Sequence, residues 1–156
     1  MADDCYVAAL RILKYRFNST AELKRKLRAK QFDRQTIEET VARLRDEKWL
    51  DDERFAAAYV RSRVSKNKGR LRIRRELIVA GVDDDTIAAA VSANVNAEDE
   101  RDRAANAARR RLPIIVRRYG KEAARNKLTA YLLKQGYDAA LVREIVKEMT
   151  SVSRRA

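Results

Sequence analysis

Internal repetition constrains this chain more than any other feature of its sequence. Residues Ala21–Leu44, Leu71–Asn94 and Asn126–Met149 align on one another at offsets of 50 and then 55 residues. The matched columns are Leu23/Ile73/Leu128, Leu27/Leu77/Leu132, Phe32/Val82/Tyr137, Asp33/Asp83/Asp138, Ile37/Ile87/Val142 and Val41/Val91/Val146. Five columns are apolar and one is aspartate. Four-residue steps within the first and last pairs of columns are helical, and the Asp stands where a side-chain oxygen caps the helix that follows a tight turn. Each copy therefore reads as helix, turn, helix, with a period typical of helical repeat proteins. Gly81 and Gly136 fall just past the first helix of their pairs, where a left-handed residue closes a helix, and Gln31 holds that place in the first copy.

A further helical stretch precedes each pair: Asp4–Phe17, Asp51–Ser65 and Glu98–Arg111. Ser19 with Glu22 forms a capping-box pattern, and Asp51, Asp52 and Glu53 place acid in a first turn. With only four Gly and one Pro in 156 residues, the chain lacks the turn punctuation that sheets need. The expected fold class is all-α, built of three tandem three-helix modules in an elongated row. Expected boundaries are 1–48, 49–96 and 97–156. Pro113 is expected to end or kink the third upstream helix, and Thr150–Ala156 to form a short polar tail that frays.

Several kinds of chemistry lack carriers. Histidine is absent and Cys5 is the single cysteine, so His-based catalysis, His or multi-Cys metal sites and an intrachain disulfide are excluded. The acidic clusters Asp51-Asp52-Glu53 and Asp83-Asp84-Asp85 begin helices, which accounts for them as caps rather than metal ligands. No activated nucleophile or phosphate-cradling Gly-rich loop is present. The expectation is a protein that is not an enzyme, with no metal and no cofactor. The longest apolar run, Cys5–Leu10, is far too short to span a bilayer. A cytoplasmic monomer without membrane contact is expected.

Charge points to the partner instead. Lys and Arg outnumber Asp and Glu by 36 to 23, a formal net charge of +13, which favours polyanions or an acidic protein surface. Arg61, Arg63, Lys66, Lys68, Arg70, Arg72, Arg74 and Arg75 fall within fifteen residues that contain no acid. A second acid-free stretch carries Arg109, Arg110, Arg111, Arg117 and Arg118. These thirteen cations are the candidate binding residues. Gly69 lets the Lys66–Arg70 loop turn sharply and approach a surface. On a helical wheel Ile73 and Leu77 mark the core, with Arg70 and Arg74 on one flank and Arg72 and Arg75 on the other. Leu71 and Ile78 share a separate face, which either packs on the next module or makes an apolar contact within a basic partner surface. Trp49, Phe55 and Tyr59 are read as core rather than as stacking platforms for bases.

The motifs Trp49-Leu50-Asp51-Asp52-Glu53-Arg54-Phe55-Ala56, Ala58-Tyr59-Val60-Arg61 and Gly69-x-x-Arg72-Ile73-Arg74-x-Glu76-Leu77 closely resemble the RecX family of recombinase regulators. The resemblance spans roughly Cys5 to Met149. Where that family usually carries Pro after the loop Gly, this chain has Arg70. The resemblance implies a regulator, mainly an inhibitor, that lies in the helical groove of the RecA filament on DNA and restrains ATP hydrolysis and strand exchange. Weak, nonspecific affinity for single- or double-stranded DNA goes with it. The alternative is a direct, nonspecific DNA- or RNA-binding module that reads with Arg34–Arg45 and Thr86–Val95. The second of those stretches has no positive charge, which makes it a poor reader of a major groove.

Overall fold

The computed structural model describes residues 2–152, and among them there are nine α-helices and no strand. In chain order they are α1 (Ala2–Tyr15), α2 (Thr20–Ala29), α3 (Arg34–Asp46), α4 (Asp52–Ser65), α5 (Arg70–Val79), α6 (Asp84–Asn94), α7 (Ala97–Tyr119), α8 (Lys121–Gln135) and α9 (Ala139–Val152). The all-α fold expected from the repeat is therefore the one observed. None of these helices is long and apolar enough to cross a membrane. The last residues of the polar tail lie outside the described residues, and its first three continue α9.

The recurrent Asp explains why each turn leads into a helix. Asp33 accepts the Thr36 amide at 2.9 Å, Asp83 the Thr86 amide at 2.8 Å, and Asp138 the Leu141 amide at 2.9 Å. Each bond satisfies one of the orphan donors of a helix start. Just upstream, Gln31, Gly81 and Gly136 all take positive φ, at 68°, 81° and 100°. Gln31 thus accepts the left-handed conformation without being a glycine. Its two counterparts have a further reason to lack a side chain. A Cβ on Gly81 would lie 2.3 Å from the Cβ of Ala21, and one on Gly136 would lie 2.3 Å from the Cβ of Arg72.

The helices gather into two compact units, one holding the chain up to Tyr59 together with Glu76–Ala90, the other holding Val60–Arg75 together with the chain from Val91 on. In the first unit, Cys5 and Ala9 of α1 pack with Leu23, Leu27, Ile37, Val41, Leu44 and Leu50. Ser19 is fully buried; its hydroxyl accepts the Glu22 amide at 3.1 Å and donates to the Ala80 carbonyl. The Glu22 carboxylate turns to Arg16 at 3.1 Å. Only half of the capping box is therefore realised. Asp52 accepts both the amide and the hydroxyl of Thr20, at 2.8 and 3.1 Å, and Asp51 accepts the Arg54 amide at 3.1 Å. Phe55 is buried and its ring lies 5.9 Å from that of Tyr59. Trp49, in contrast, is 57% exposed, because its turn aims it away from the core that Leu50 enters.

In the second unit, Ala104, Ala107, Ala108 and Ile115 of α7 pack with Leu128, Leu132, Tyr137, Val142, Ile145 and Val146. Pro113 does not end α7, which runs on to Tyr119. The reason lies in the apolar pattern on both sides of the proline: Leu112, Ile115 and Val116 carry the buried face of α7 onward. Burying Ile115 alone contributes about 2 kcal/mol, against about 3 kcal/mol for an interior proline. Pro113 itself is exposed, so the carbonyl that loses its helical donor faces water. Of the two readings of Leu71 and Ile78, their exposure of 41% and 54% speaks against burial on a neighbouring module. The core takes Ile73 and Leu77 from α5, both fully buried.

Hydrogen bonds from Thr36 and Thr86 hold the Asp33 and Asp83 carboxyls below the usual carboxylate range. A depressed folded-state pKa adds stability above the unfolded value of about 4, and that stability is lost as pH falls through the folded values. Replacing Asp33, Asp83 or Asp138 by Ala should each cost about 1 kcal/mol in urea unfolding at neutral pH. The Asp33→Asn and Asp83→Asn variants should lose less, and their stability should fall less steeply than wild type between about pH 5 and pH 3.

Candidate functional site

All thirteen predicted cations belong to the second unit, so the fold brings the two basic stretches into one compact body. Three of them, Arg63, Lys68 and Arg72, are half-buried, and the other ten are exposed. The half-buried ones are engaged within the protein. Lys68 donates from Nζ to Oε1 of Gln135 at 2.6 Å, and Arg72 presses its Cβ against Gly136.

The loop before α5 approaches a surface, as its glycine suggests, but that surface is the protein's own α8–α9 turn. The Gly69 amide donates to the Gln135 carbonyl at 2.8 Å and the Leu71 amide to the Gly136 carbonyl at 3.0 Å. From the other side, the Tyr137 hydroxyl donates to the Asn67 carbonyl at 2.6 Å. A Cβ on Gly69 would sit 2.4 Å from the carbonyl carbon of Gly136. Two backbones thus touch directly. α7 closes the arrangement: Arg103 donates to the Lys68 carbonyl at 2.7 Å, while buried Glu100 accepts the Arg70 amide at 2.9 Å. Glu100 caps α5 from another helix, using the very N–H that a proline at position 70 would lack. The Arg70 side chain reaches Glu100 and Asp138 at 3.8 and 3.7 Å. Sequence reasoning missed Glu100, Arg103, Gln135 and Tyr137, because none of them lies near the basic run in sequence.

What faces outward is correspondingly sharper. Arg61, Lys66 and Arg74 are exposed and form no ion pair among the described residues. On α7, Arg110 and Arg117 lie seven residues apart, about 10 Å along one helix face, and Arg111 and Arg118 form a parallel row. The Arg111 guanidinium lies 5.1 Å from the Tyr131 ring centre, and Arg118 and Lys127 lie 5.4 and 4.5 Å from that of Tyr119. These stacked cations keep their charge at the surface. The arrangement can grip phosphates or carboxylates. Among the described residues no cluster of His, Cys, Asp or Glu is arranged to hold a metal.

A family model for the first three-helix domain of RecX matches residues 5–44, and one for the second three-helix domain matches residues 51–91. The regulatory protein RecX of Xanthomonas campestris pv. campestris (strain B100) is 39% identical over 140 residues, covering 86% of this chain and 81% of that protein. The chain belongs to the RecX family. The regulatory protein RecX of Clostridium perfringens (strain 13 / Type A) is 32% identical over 148 residues, covering 94% and 69%. The crystal structure of RecX from Lactobacillus salivarius superposes with a TM-score of 0.79 at 24% identity, covering 94% of this chain and 95% of that one. A second RecX crystal structure gives 0.84, covering 94% and 73%. At that identity the two structures speak for the fold, and the curated relatives speak for a regulatory protein.

Two predictions concern the clamp around Gly69. Gly69→Ala should destabilise the protein by about 3 kcal/mol in urea unfolding, since backbone must move to admit the methyl group, whereas Lys66→Ala, on the exposed side of the same loop, should leave stability within about 0.5 kcal/mol. Burial pushes the Tyr137 phenol up to about 12. Its contribution to stability is intact below pH 10, where the unfolded phenol is also protonated, and is lost as pH rises toward 12. Tyr137→Phe should remove that share of the alkaline loss and cost about 1 kcal/mol at neutral pH.

Proposed function

We propose that this RecX-family chain binds the RecA filament on DNA in its helical groove and inhibits the recombinase's ATP hydrolysis and strand exchange. Three three-helix modules, 1–48, 49–96 and 97–156, form the binding body, which acts as a cytoplasmic monomer without catalysis of its own. The observation that supports this reading is the gathering of both basic stretches in one compact unit. A filament offers acidic protein and phosphate together, and cations outside the internal clamp suit either. Arg61, Lys66, Arg74 and Arg75, with Arg109, Arg110, Arg111, Arg117 and Arg118, are the proposed contact residues, and Arg70, tied to Glu100 and Asp138 in the clamp, adds the exposed part of its side chain. Lys68, Arg72 and Arg63 support them from the half-buried side. Bound across neighbouring protomers, such a body restrains the motions that turnover requires. Direct reading of DNA by the helix pairs is less well supported, because α6 carries no basic residue.

The test is ATP hydrolysis by the cognate recombinase on single-stranded DNA, with the wild-type protein and two triple variants. Arg61→Glu, Lys66→Glu and Arg74→Glu together should weaken inhibition at least about tenfold, each charge-assisted contact being worth about 1.5 kcal/mol or more. Arg28→Glu, Lys30→Glu and Arg45→Glu, also exposed, should weaken it far less. Both triples lower the formal charge from +13 to +7, so bulk attraction falls equally. An unchanged hydrolysis rate with the wild-type protein would favour the direct nucleic-acid reading. Equal loss in both variants, with unchanged melting, would show that net charge alone drives binding.

A further inference from the structure

The basic surfaces leave unexplained an apolar groove in the other unit. Leu10, Leu13 and Lys14 from the end of α1, Phe17 from the segment just after it, Trp49 from the turn before α4, and Arg54 from α4 line a cavity of about 490 Å³. Phe17 and Trp49 are 60% and 57% exposed, a degree of exposure for two large aromatic side chains in one groove that marks an interaction site. The volume is that of a ligand pocket.

We propose that this groove docks a short amphipathic helix of an acidic partner protein. Its apolar wall carries the first part of the inference. Leu10 and Leu13 stand about one turn apart on α1, and Phe17, two residues past the helix end, extends the wall beyond it. A helix laid against such a wall presents its own i, i+4 and i+7 side chains to it, the usual register of helix-in-groove recognition.

Charge carries the second part. The polar groups of the groove that are already satisfied are the neutral and acidic ones. Asn18 donates to the Arg16 carbonyl at 2.8 Å and accepts from Lys26 at 2.6 Å. Asp51, the one acid of the lining, caps α4. The cations remain. Lys14 is exposed and forms no ion pair among the described residues, and the Arg54 guanidinium, tied to the Lys48 carbonyl at 3.1 Å, lies 5.8 Å from the Phe17 ring centre. Arg11 adds charge on the same stretch, Arg16 being paired with Glu22, and no acid falls between Leu10 and Asn18. An occupant must therefore bring apolar anchors flanked by carboxylates. A single nucleic-acid strand is the weaker fit: it needs cations that follow a backbone and flat faces for bases, whereas this groove has an aliphatic wall of two leucines. Trp49 has the size and placement of an anchoring hot spot.

Trp49 is the only tryptophan in the chain, so its emission reports on the groove directly. The probe is a synthetic peptide of about 15 residues with Leu, Phe and Leu at i, i+4 and i+7 and Glu at flanking positions. The controls are a peptide of equal composition with the anchors scattered and a thymidylate oligonucleotide of similar length. The anchored peptide should shift Trp49 emission to the blue and saturate in the micromolar range, and the scattered one should bind at least about tenfold more weakly. Phe17→Ala and Lys14→Glu should each weaken binding at least about fivefold, with circular dichroism and melting unchanged. No shift with the anchored peptide up to about 1 mM, an equal response to the scattered peptide, or a response to the oligonucleotide alone would overturn the proposal. The titration contains no recombinase, so its outcome is independent of the filament reading.

Discussion

The second unit depends on two stretches of backbone brought into contact, Gly69 of the loop before α5 and Gly136 of the α8–α9 turn. Because neither residue has a side chain, the loop amides at Gly69 and Leu71 reach the carbonyls of Gln135 and Gly136. Everything around that contact follows from it. Tyr137 can be both core and clasp only at this separation, since its ring is buried while its hydroxyl meets the Asn67 carbonyl. Glu100 can be buried only because the Arg70 amide and guanidinium answer its charge. An isolated buried carboxylate would be far too costly. The clamp is thus a set of polar groups that mostly satisfy one another on burial; the exceptions are Nε and Nη2 of Arg103, which are buried without a hydrogen-bond partner.

The basic run before and along α5 accordingly has two kinds of member. Lys68 and Arg72 are committed to the clamp, with their charge half-withdrawn from water, while Arg61, Lys66 and Arg74 are exposed. Composition makes no such distinction, and a test that reversed Lys68 or Arg72 would mix loss of folding with loss of binding. For a RecX-family regulator the separation has a use: the internal members fix the loop, and a fixed loop presents its outward cations without first having to be ordered.

Much of the fold was legible from local rules. The capping Asp of each repeat, the left-handed residue before it, and the buried columns led by Leu23, Ile73 and Leu128 all act within one helix pair, and such signals survive in a sequence. Three things were not legible, each for a physical reason. Pro113 is a local signal to end or kink a helix, and α7 runs on through it because Leu112, Ile115 and Val116 pack on partners far along the chain. The outward turn of Trp49 depends on Lys48, whose φ of 62° no pattern announces. The clamp joins Lys68 to Gln135 and Arg70 to Glu100, pairs separated by 67 and 30 residues, beyond the reach of any spacing rule. Of the candidate surface, the residue types were readable, but the division of labour among them required coordinates.

One buried group in the first unit is also a clock. Cys5 is fully buried among Leu23, Leu27 and Leu44, and it is the chain's single thiol. A thiol reagent in solution can reach it only when that core opens. Its rate of labelling therefore counts openings of the first unit alone, much as amide exchange counts local unfolding. Since the clamp lies wholly in the other unit, this one sulfur times the first unit by itself, apart from the clamp, without any engineered label.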